Sequence, residues 1–325
     1  MAAMLKFAVA AAGAGLFPWA GVAAETEAPP EPKATIPHSC SSDNLPYQIV
    51  ELDTAFELQS WDWATGERTP YWSLAKAKHP EVSLINGCGI SPKDNIAYCI
   101  VTYLYQSYIA RVDKDGFAFV ASTPGNSPSV VGTFGENGTF YSGGVNLWYL
   151  HDADNLTGYD KPWSALPSMQ VFPKQMSETH GADTVVLEDH LVSVHRDGVV
   201  VTDLNDAGLR TYKASQAAGS ETYDRTDYGG AYFYSGMLFF SANSGKGIYQ
   251  VDIDLGAGTY TAKLVGKSFK TSKNDGLNCM NTDAPEAAGP NSADSKGDMK
   301  DAGRRAGAAA AVITLAAAGL WTPLL

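Results

Sequence analysis

Five times along the chain, a β-forming run meets an aspartate, passes through a short polar turn to a glycine, and continues as a second β-forming run. Ser60-Trp61-Asp62 leads to Gly66. Arg111-Val112-Asp113 leads to Gly116. Leu150-His151-Asp152 leads to Gly158, Val201-Thr202-Asp203 to Gly208, and Gln250-Val251-Asp252 to Gly256. The aspartates stand 51, 39, 51 and 49 residues apart. A period of about 48 residues is the length of one small antiparallel sheet, and such a unit buries its faces only by stacking on copies of itself.

Four of the periods carry a second hairpin upstream of the aspartate. Leu84 to Ile90 turns through Pro92 to Asn95 into Ile96 to Ile100. Ser129 to Phe134 turns through Glu136-Asn137-Gly138 into Thr139 to Tyr141. Thr184 to Leu187 turns through Glu188-Asp189 into His190 to Val194, and Ala231 to Tyr234 turns through Ser235-Gly236 into Met237 to Phe240. Tight polar turns between β-rich runs read as hairpins. Two hairpins per period make four strands per period. The fifth period is split. Its later strands come first, near Tyr47 to Leu52, Phe56 to Trp63 and Thr69 to Leu74, and its first strand comes last, near Asp275 to Cys279. That split predicts an all-β fold, a five-bladed β-propeller over residues 46–283. Pairing of the last strand with strands made at the start closes the ring and removes a free sheet edge.

Composition agrees with many short strands. Charged residues are only 18% of the chain, aromatics are 11%, and there are 32 glycines. The net charge of −12 excludes a nucleic-acid-binding surface of the ordinary basic kind.

The ends have a different chemistry. Residues 1–24 read as a signal peptide: Lys6, an apolar run from Phe7 to Phe17, and small residues Val22-Ala23-Ala24 before Glu25. Residues 25–45 form a linker containing the Pro-rich stretch Ala28 to Lys33. Residues 284–305 are rich in Ala, Gly, Pro, Ser and Asp and read as a disordered spacer. Residues 306–325 are apolar to the last residue, with Arg304 and Arg305 just before them. A small triplet, Asn291-Ser292-Ala293, a 12-residue spacer and that tail together read as a glycosylphosphatidylinositol attachment signal. The expectation is therefore a protein on the outer face of the plasma membrane, anchored by lipid at Asn291 or Ser292.

Four cysteines in a secreted chain favour disulfides. Cys88 and Cys99 flank one predicted hairpin, whereas Cys40 and Cys279 lie at the two ends of the folded body. The expected pairs are Cys88–Cys99 and Cys40–Cys279, the latter stapling the ring. Sequons at Asn137-Gly138-Thr139 and Asn155-Leu156-Thr157 fall in predicted turns, where a glycan can project into solvent.

The repeated aspartates Asp62, Asp113, Asp152, Asp203 and Asp252 are expected to hold turns by accepting backbone N–H groups. A ring of calcium ligands is the sharper alternative. Asp152 to Asp160 has some oxygen-ligand character but lacks the sixth-position Gly and closing Glu of an EF-hand loop. The repeated unit resembles secreted propeller proteins whose blades read roughly Leu-Tyr-x-Ile-Asp-x-x-Thr-Gly. Gly247 to Asp252 is the nearest copy, and Leu58 to Gly66 and Tyr108 to Gly116 are looser ones. The resemblance spans about residues 47–280 and implies architecture only, because such blades host many functions.

Chemistry is thinly marked. His180, His190 and His195 cluster in sequence, but alternate residues of a strand face opposite ways. No nucleophile motif occurs, and no cofactor or metal is expected. The catalytic candidates are Asp183, Asp227 and Asp275, each just before or on a predicted first strand. If they converged, two of them could act as acid and nucleophile or base in glycoside cleavage. The preferred reading is a binding scaffold for a protein or carbohydrate ligand, with enzymatic activity left open.

Overall fold

The computed structural model describes residues 30–33, 37–38, 40, 45–113, 116–125, 130–143, 146–176, 181, 183–205, 209–221, 227–271 and 273–285. Residues 1–29 and 286–325 lie outside them. The protein is all-β. Twenty strands and one short 3-10 turn (Ala153–Asn155) are formed, with no α-helix among the described residues.

The strands fall into four-stranded antiparallel groups in chain order. β1 (Tyr47–Glu51), β2 (Ala55–Trp61) and β3 (Arg68–Ala75) form one sheet with the last strand, β20 (Asn274–Leu277). β4 (Val82–Ile90), β5 (Ala97–Tyr103), β6 (Gln106–Asp113) and β7 (Gly116–Ser122) form the next. A third contains β8 (Gly132–Phe134), β9 (Phe140–Gly143), β10 (Leu147–Leu150) and β11 (Gln170–Val171). The remaining strands make an eight-stranded sheet. It contains β12 (Thr184–Leu187), β13 (His190–His195), β14 (Gly198–Asp203) and β15 (Thr211–Gln216), then β16 (Tyr228–Tyr234), β17 (Met237–Ala242), β18 (Ile248–Asp254) and β19 (Thr259–Gly266). Its two halves are joined only by a short parallel pairing, Ser215↔Thr259 and Gln216↔Tyr260.

Burial shows which strands are innermost. β8, β9, β16 and β20 are buried at every residue, while β3, β11 and β15 are largely exposed. Pro70 in β3 costs no ladder bond that matters, because β3 is an edge strand. The first strand of each group touches its neighbours in turn: β4 packs on β8, β8 on β12, β12 on β16, β16 on β20, and β20 on β4. The circuit therefore closes on itself, in a propeller-like arrangement. β20 closes it by pairing antiparallel with β1, from Tyr47↔Leu277 to Val50↔Asn274.

Large side chains fill the wedges between groups. Phe56, Leu58 and Trp72 pack with Ile85, Val101 and Phe119 in one apolar cluster. At the seam between the last and first groups, Trp61 and Trp63 cluster with Tyr232, Tyr234 and Phe239. Trp63 meets Tyr232 and Tyr234 edge-on at 5.3 and 5.8 Å between ring centres. Fully burying one such ring stabilises the fold by about 1.5–3 kcal/mol, with about 0.5–1.5 kcal/mol more for edge-on pairs.

Both expected disulfides form. Cys40–Cys279 ties the segment before β1 to the residue two beyond β20, and Cys88–Cys99 crosses from β4 to β5. Disulfides of this kind persist in oxidising, extracellular compartments. Among the described residues, no helix is long and apolar enough to cross a membrane.

Candidate functional site

The axial ends of the first strands gather the polar groups that an apolar interior ordinarily excludes. Asp183 immediately precedes β12, and Asp275 is the second residue of β20. The closed circuit brings them together although they lie far apart in sequence. Both are buried, at 2% and 1% exposure. Their carboxyl groups interact directly. Gly276 donates its N–H to Asp183 Oδ2 at 3.1 Å. Cys88, fixed by its disulfide to Cys99, donates its N–H to Asp275 Oδ2. The Ala231 amide lies near enough to favour the charged form of Asp183 as well.

Burial is the main influence on both acids. It pushes Asp183 up to about 7, against the lowering effect of its hydrogen bonds to Asp275, Gly276 and Ala231. Asp275 is pushed well above the usual carboxylate range, first by burial and then by the Asp183 charge. Two carboxylates in contact in a dry site cannot both ionise cheaply. The Tyr232 hydroxyl lies in the field of the same pair, and its ionisation is pushed well upward by burial first and Asp183 second.

Side-chain amides complete the clasp. Gln48 of β1 donates Nε2 to the Gly229 carbonyl at 3.3 Å, and Asn274 donates Nδ2 to the same oxygen. Just past β20, Asn278 imitates a strand: its Oδ1 accepts the Phe233 N–H at 2.9 Å and its Nδ2 donates to the Phe233 carbonyl at 2.6 Å. Gly276 is required where it stands. A Cβ there would lie 2.8 Å from Ala231 N, Gly230 Cα and Tyr232 Cζ. The axis is therefore packed backbone to backbone at this level. Nearby, a cavity of ≈ 20 Å3 for a water centre is lined by groups including Thr133, Phe134, Val185, Phe233 and Met280. That is room for about one water molecule.

Asp227 stands elsewhere. Its side chain is 71% exposed and faces Arg196 Nη2 at 3.7 Å. Of the three carboxylates singled out from sequence, two converge and the third is a surface residue. His180 lies outside the described residues. His190 and His195 are the first and last residues of β13, and among the described residues no group of three His, Cys, Asp or Glu is placed to hold a metal.

The repeated aspartates divide by local geometry. Asp62 Oδ1 accepts the N–H groups of Ala64 at 2.7 Å and Thr65 at 3.1 Å, which holds its carboxyl below the usual range. Asp203 Oδ1 accepts Asn205 N–H at 2.9 Å. Asp113 is buried and closes the hairpin against Gly116. Asp152 stands at φ 50° with no side-chain cap bond; its carboxylate instead pairs with Lys93 at 2.8 Å. Asp252 lies inside β18, opposite Thr261, and accepts Gln250 Nε2 at 3.0 Å. The turn after β18 is held by Asp254, whose Oδ1 accepts Ala257 N–H at 2.8 Å. Reading the strand as ending at the repeated Val-Asp hid this, because a second Asp follows at the same facing two residues later. The sequons Asn137 and Asn155 are exposed, on the β8–β9 turn and at the end of the 3-10 turn. Asn291 and Ser292 lie outside the described residues.

Solved structures of related shape include TolB from Acinetobacter baumannii (12% identity, TM-score 0.38), for which 70% of this chain and 53% of that one are covered. The chain thus spans about half the length of that TolB. A chain of the nidogen/laminin complex is 10% identical with a TM-score of 0.42, over 73% of this chain and 99% of that one. A gluconolactonase from Xanthomonas campestris is 11% identical with a TM-score of 0.29, over 75% and 90%. No curated protein matches in sequence. Residues 60–281 match the model of a repeat family of unknown function, DUF6923, and the chain belongs to that family.

Proposed function

We propose that the protein is a secreted, lipid-anchored five-bladed β-propeller acting as a binding scaffold for a protein or glycan ligand. Five sets of four strands, with their first strands in a closed circuit, support the blade count. The eight-stranded sheet is then two blades whose outer strands touch over two residues. The disulfides and exposed sequons support an extracellular setting. The hydrophobic tail after Arg305 supports anchorage at Asn291 or Ser292.

One observation carries the preference for a scaffold over a glycoside hydrolase. Asp183 and Asp275 are both buried, Asp183 is bonded to the amide next to Asp275, and the cavity beside them has room for about one water molecule. Paired glycosidase carboxylates stand about 5–10 Å apart across a sugar-sized cleft. Here the two acids hold each other, and Asp227 does not join them. The outer loops are then left to present the binding surface, with Leu104 and Tyr105 exposed at the β5–β6 turn.

The test uses residues 25–291 expressed as a secreted protein and applied to arrays of glycans and of cell-surface ectodomains. Saturable binding that survives Asp183→Asn supports the scaffold. Hydrolysis of a glycoside that Asp183→Asn abolishes replaces it with the enzyme. Release of the full-length protein from cells by a phosphatidylinositol-specific phospholipase tests the anchor; retention in the membrane with the tail peptide intact overturns it.

A further inference from the structure

Three facts about the axial acids are independent of any ligand. First, the two carboxyl groups come from opposite ends of the closure: Asp275 from the closing strand β20, and Asp183 from the approach to β12. Second, the amides facing them are those of Cys88 from β4, Ala231 from β16 and Gly276 from β20 itself. Third, Asp183 Oδ1, although buried, is met by no donor group among the described residues. The Gly276 and Cys88 amides donate to Asp183 Oδ2 and Asp275 Oδ2, which leaves Asp183 Oδ1 with an unmet lone pair beside the second carboxyl group.

We propose that Asp183 and Asp275 hold a single shared proton, and that this proton is a structural ligand which fastens β20 into the ring, so that closure is tighter in acid than in alkali. The charges and donors around the pair are accounted for from each side. β4 and β16 bring amides, and β16 also brings the neutral Tyr232 hydroxyl. Among the described residues, the groups acting on either acid include no cationic side chain. With one proton the pair carries one negative charge, answered by the amides. Without it, two negative charges face each other in a dry axis, and the cheapest relief is to let β20 move out.

The direction of the pH dependence follows from the raised values. A carboxyl whose folded-state value is raised takes up a proton on folding at pH values between its unfolded value and its folded one. Its contribution is fully present below about pH 4, the unfolded value, and is lost as pH rises through the folded value, about 7 for Asp183. This is opposite to the surface aspartates such as Asp62, whose lowered value favours folding above the acid range.

The experiment is urea unfolding of the disulfide-intact protein between about pH 5 and pH 8, for wild type and for Asp275→Asn, which keeps the shape but supplies its own donor. The expected result is a midpoint that falls steadily with rising pH in wild type and loses most of that fall in Asp275→Asn. An equal fall in both proteins overturns the proposal. Because Asp275→Asn can fail to fold, the infrared C=O stretch of a protonated carboxyl is read in wild type at about pH 6. Its presence is expected, and its absence overturns the shared proton. Adding calcium chloride at about pH 8 separates the remaining alternative: a calcium-dependent rise in midpoint that Asp275→Asn abolishes would assign the pair to a cation instead.

Discussion

Removing the Cys40–Cys279 bridge should cost more than any other two-residue change that leaves the apolar core intact. The bridge closes a chain separation of 239 residues, whereas Cys88–Cys99 closes only 11. In the chain-entropy account, cross-linking removes freedom from the unfolded chain in proportion to the logarithm of the loop length. That gives about 5.5 kcal/mol for the long loop and about 2.8 kcal/mol for the short one at 25 °C. The folded state adds to the contrast. Cys279 follows directly on Asn278, whose amide holds Phe233, and on β20, whose four residues pair with β1. Cys40→Ser/Cys279→Ser therefore loosens the last strand of the circuit as well as the unfolded chain. The assay is equilibrium urea unfolding of this variant and of Cys88→Ser/Cys99→Ser, compared at equal slope. If the hairpin bridge proves worth as much as the seam bridge, or more, then the long bridge does not staple the closure and the reasoning fails.

Three further outcomes follow from single contacts. Gly276→Ala should destabilise by about 3 kcal/mol, the scale of severe overpacking, because its Cβ meets Ala231 N and Gly230 Cα at 2.8 Å; a thermal midpoint within a degree of wild type would refute the tight axis. Asp62→Ala and Asp254→Ala should each cost about 1 kcal/mol in chemical denaturation through the loss of turn hydrogen bonds. Asp252→Ala should cost less than about 0.5 kcal/mol, since among the described residues its carboxylate accepts a bond from an exposed Gln250 amide alone; a reversed order would show that the repeat aspartate, not its neighbour, holds the turn.

The architecture was legible because its signal is periodic. The hairpin turns, the period of about 48 and the split last unit are each written locally, and β20 falls where Asp275-Gly276-Leu277 was read as a displaced first strand. The Cys40–Cys279 disulfide follows from the same split, and Cys88–Cys99 from the hairpin that the two cysteines flank. The axial clasp was legible only in part. Asp183 and Asp275 stood out because a carboxylate at a strand entry is chemically conspicuous. Their contact could not be read, since it depends on how the circuit curves rather than on either strand's pattern. Tyr232 and Asn278 carried no signal at all. A tyrosine in an aromatic strand looks like core, and Asn278 sits within the stretch Asp275 to Cys279 that reads as one strand, which hides its side-chain clasp on Phe233. The confusion of Asp252 with Asp254 has a simple cause as well: in a strand both side chains face the same way, and only the pairing Asp254↔Thr259 fixes where the strand ends.

The most direct measurement is native-state hydrogen exchange resolved to residues 274–277. The central claim is a ring closed by β20 against β1 on one side and β16 on the other, over a filled axis. The account predicts that the amide of Gly276, bonded to Asp183, and those β20 amides that ladder to β1 exchange as slowly as the buried strand β5, at the scale set by global unfolding. Exchange of these amides on the timescale of the exposed β3 and β15 edges would mean that the last strand is not part of the closed circuit, and would contradict the account.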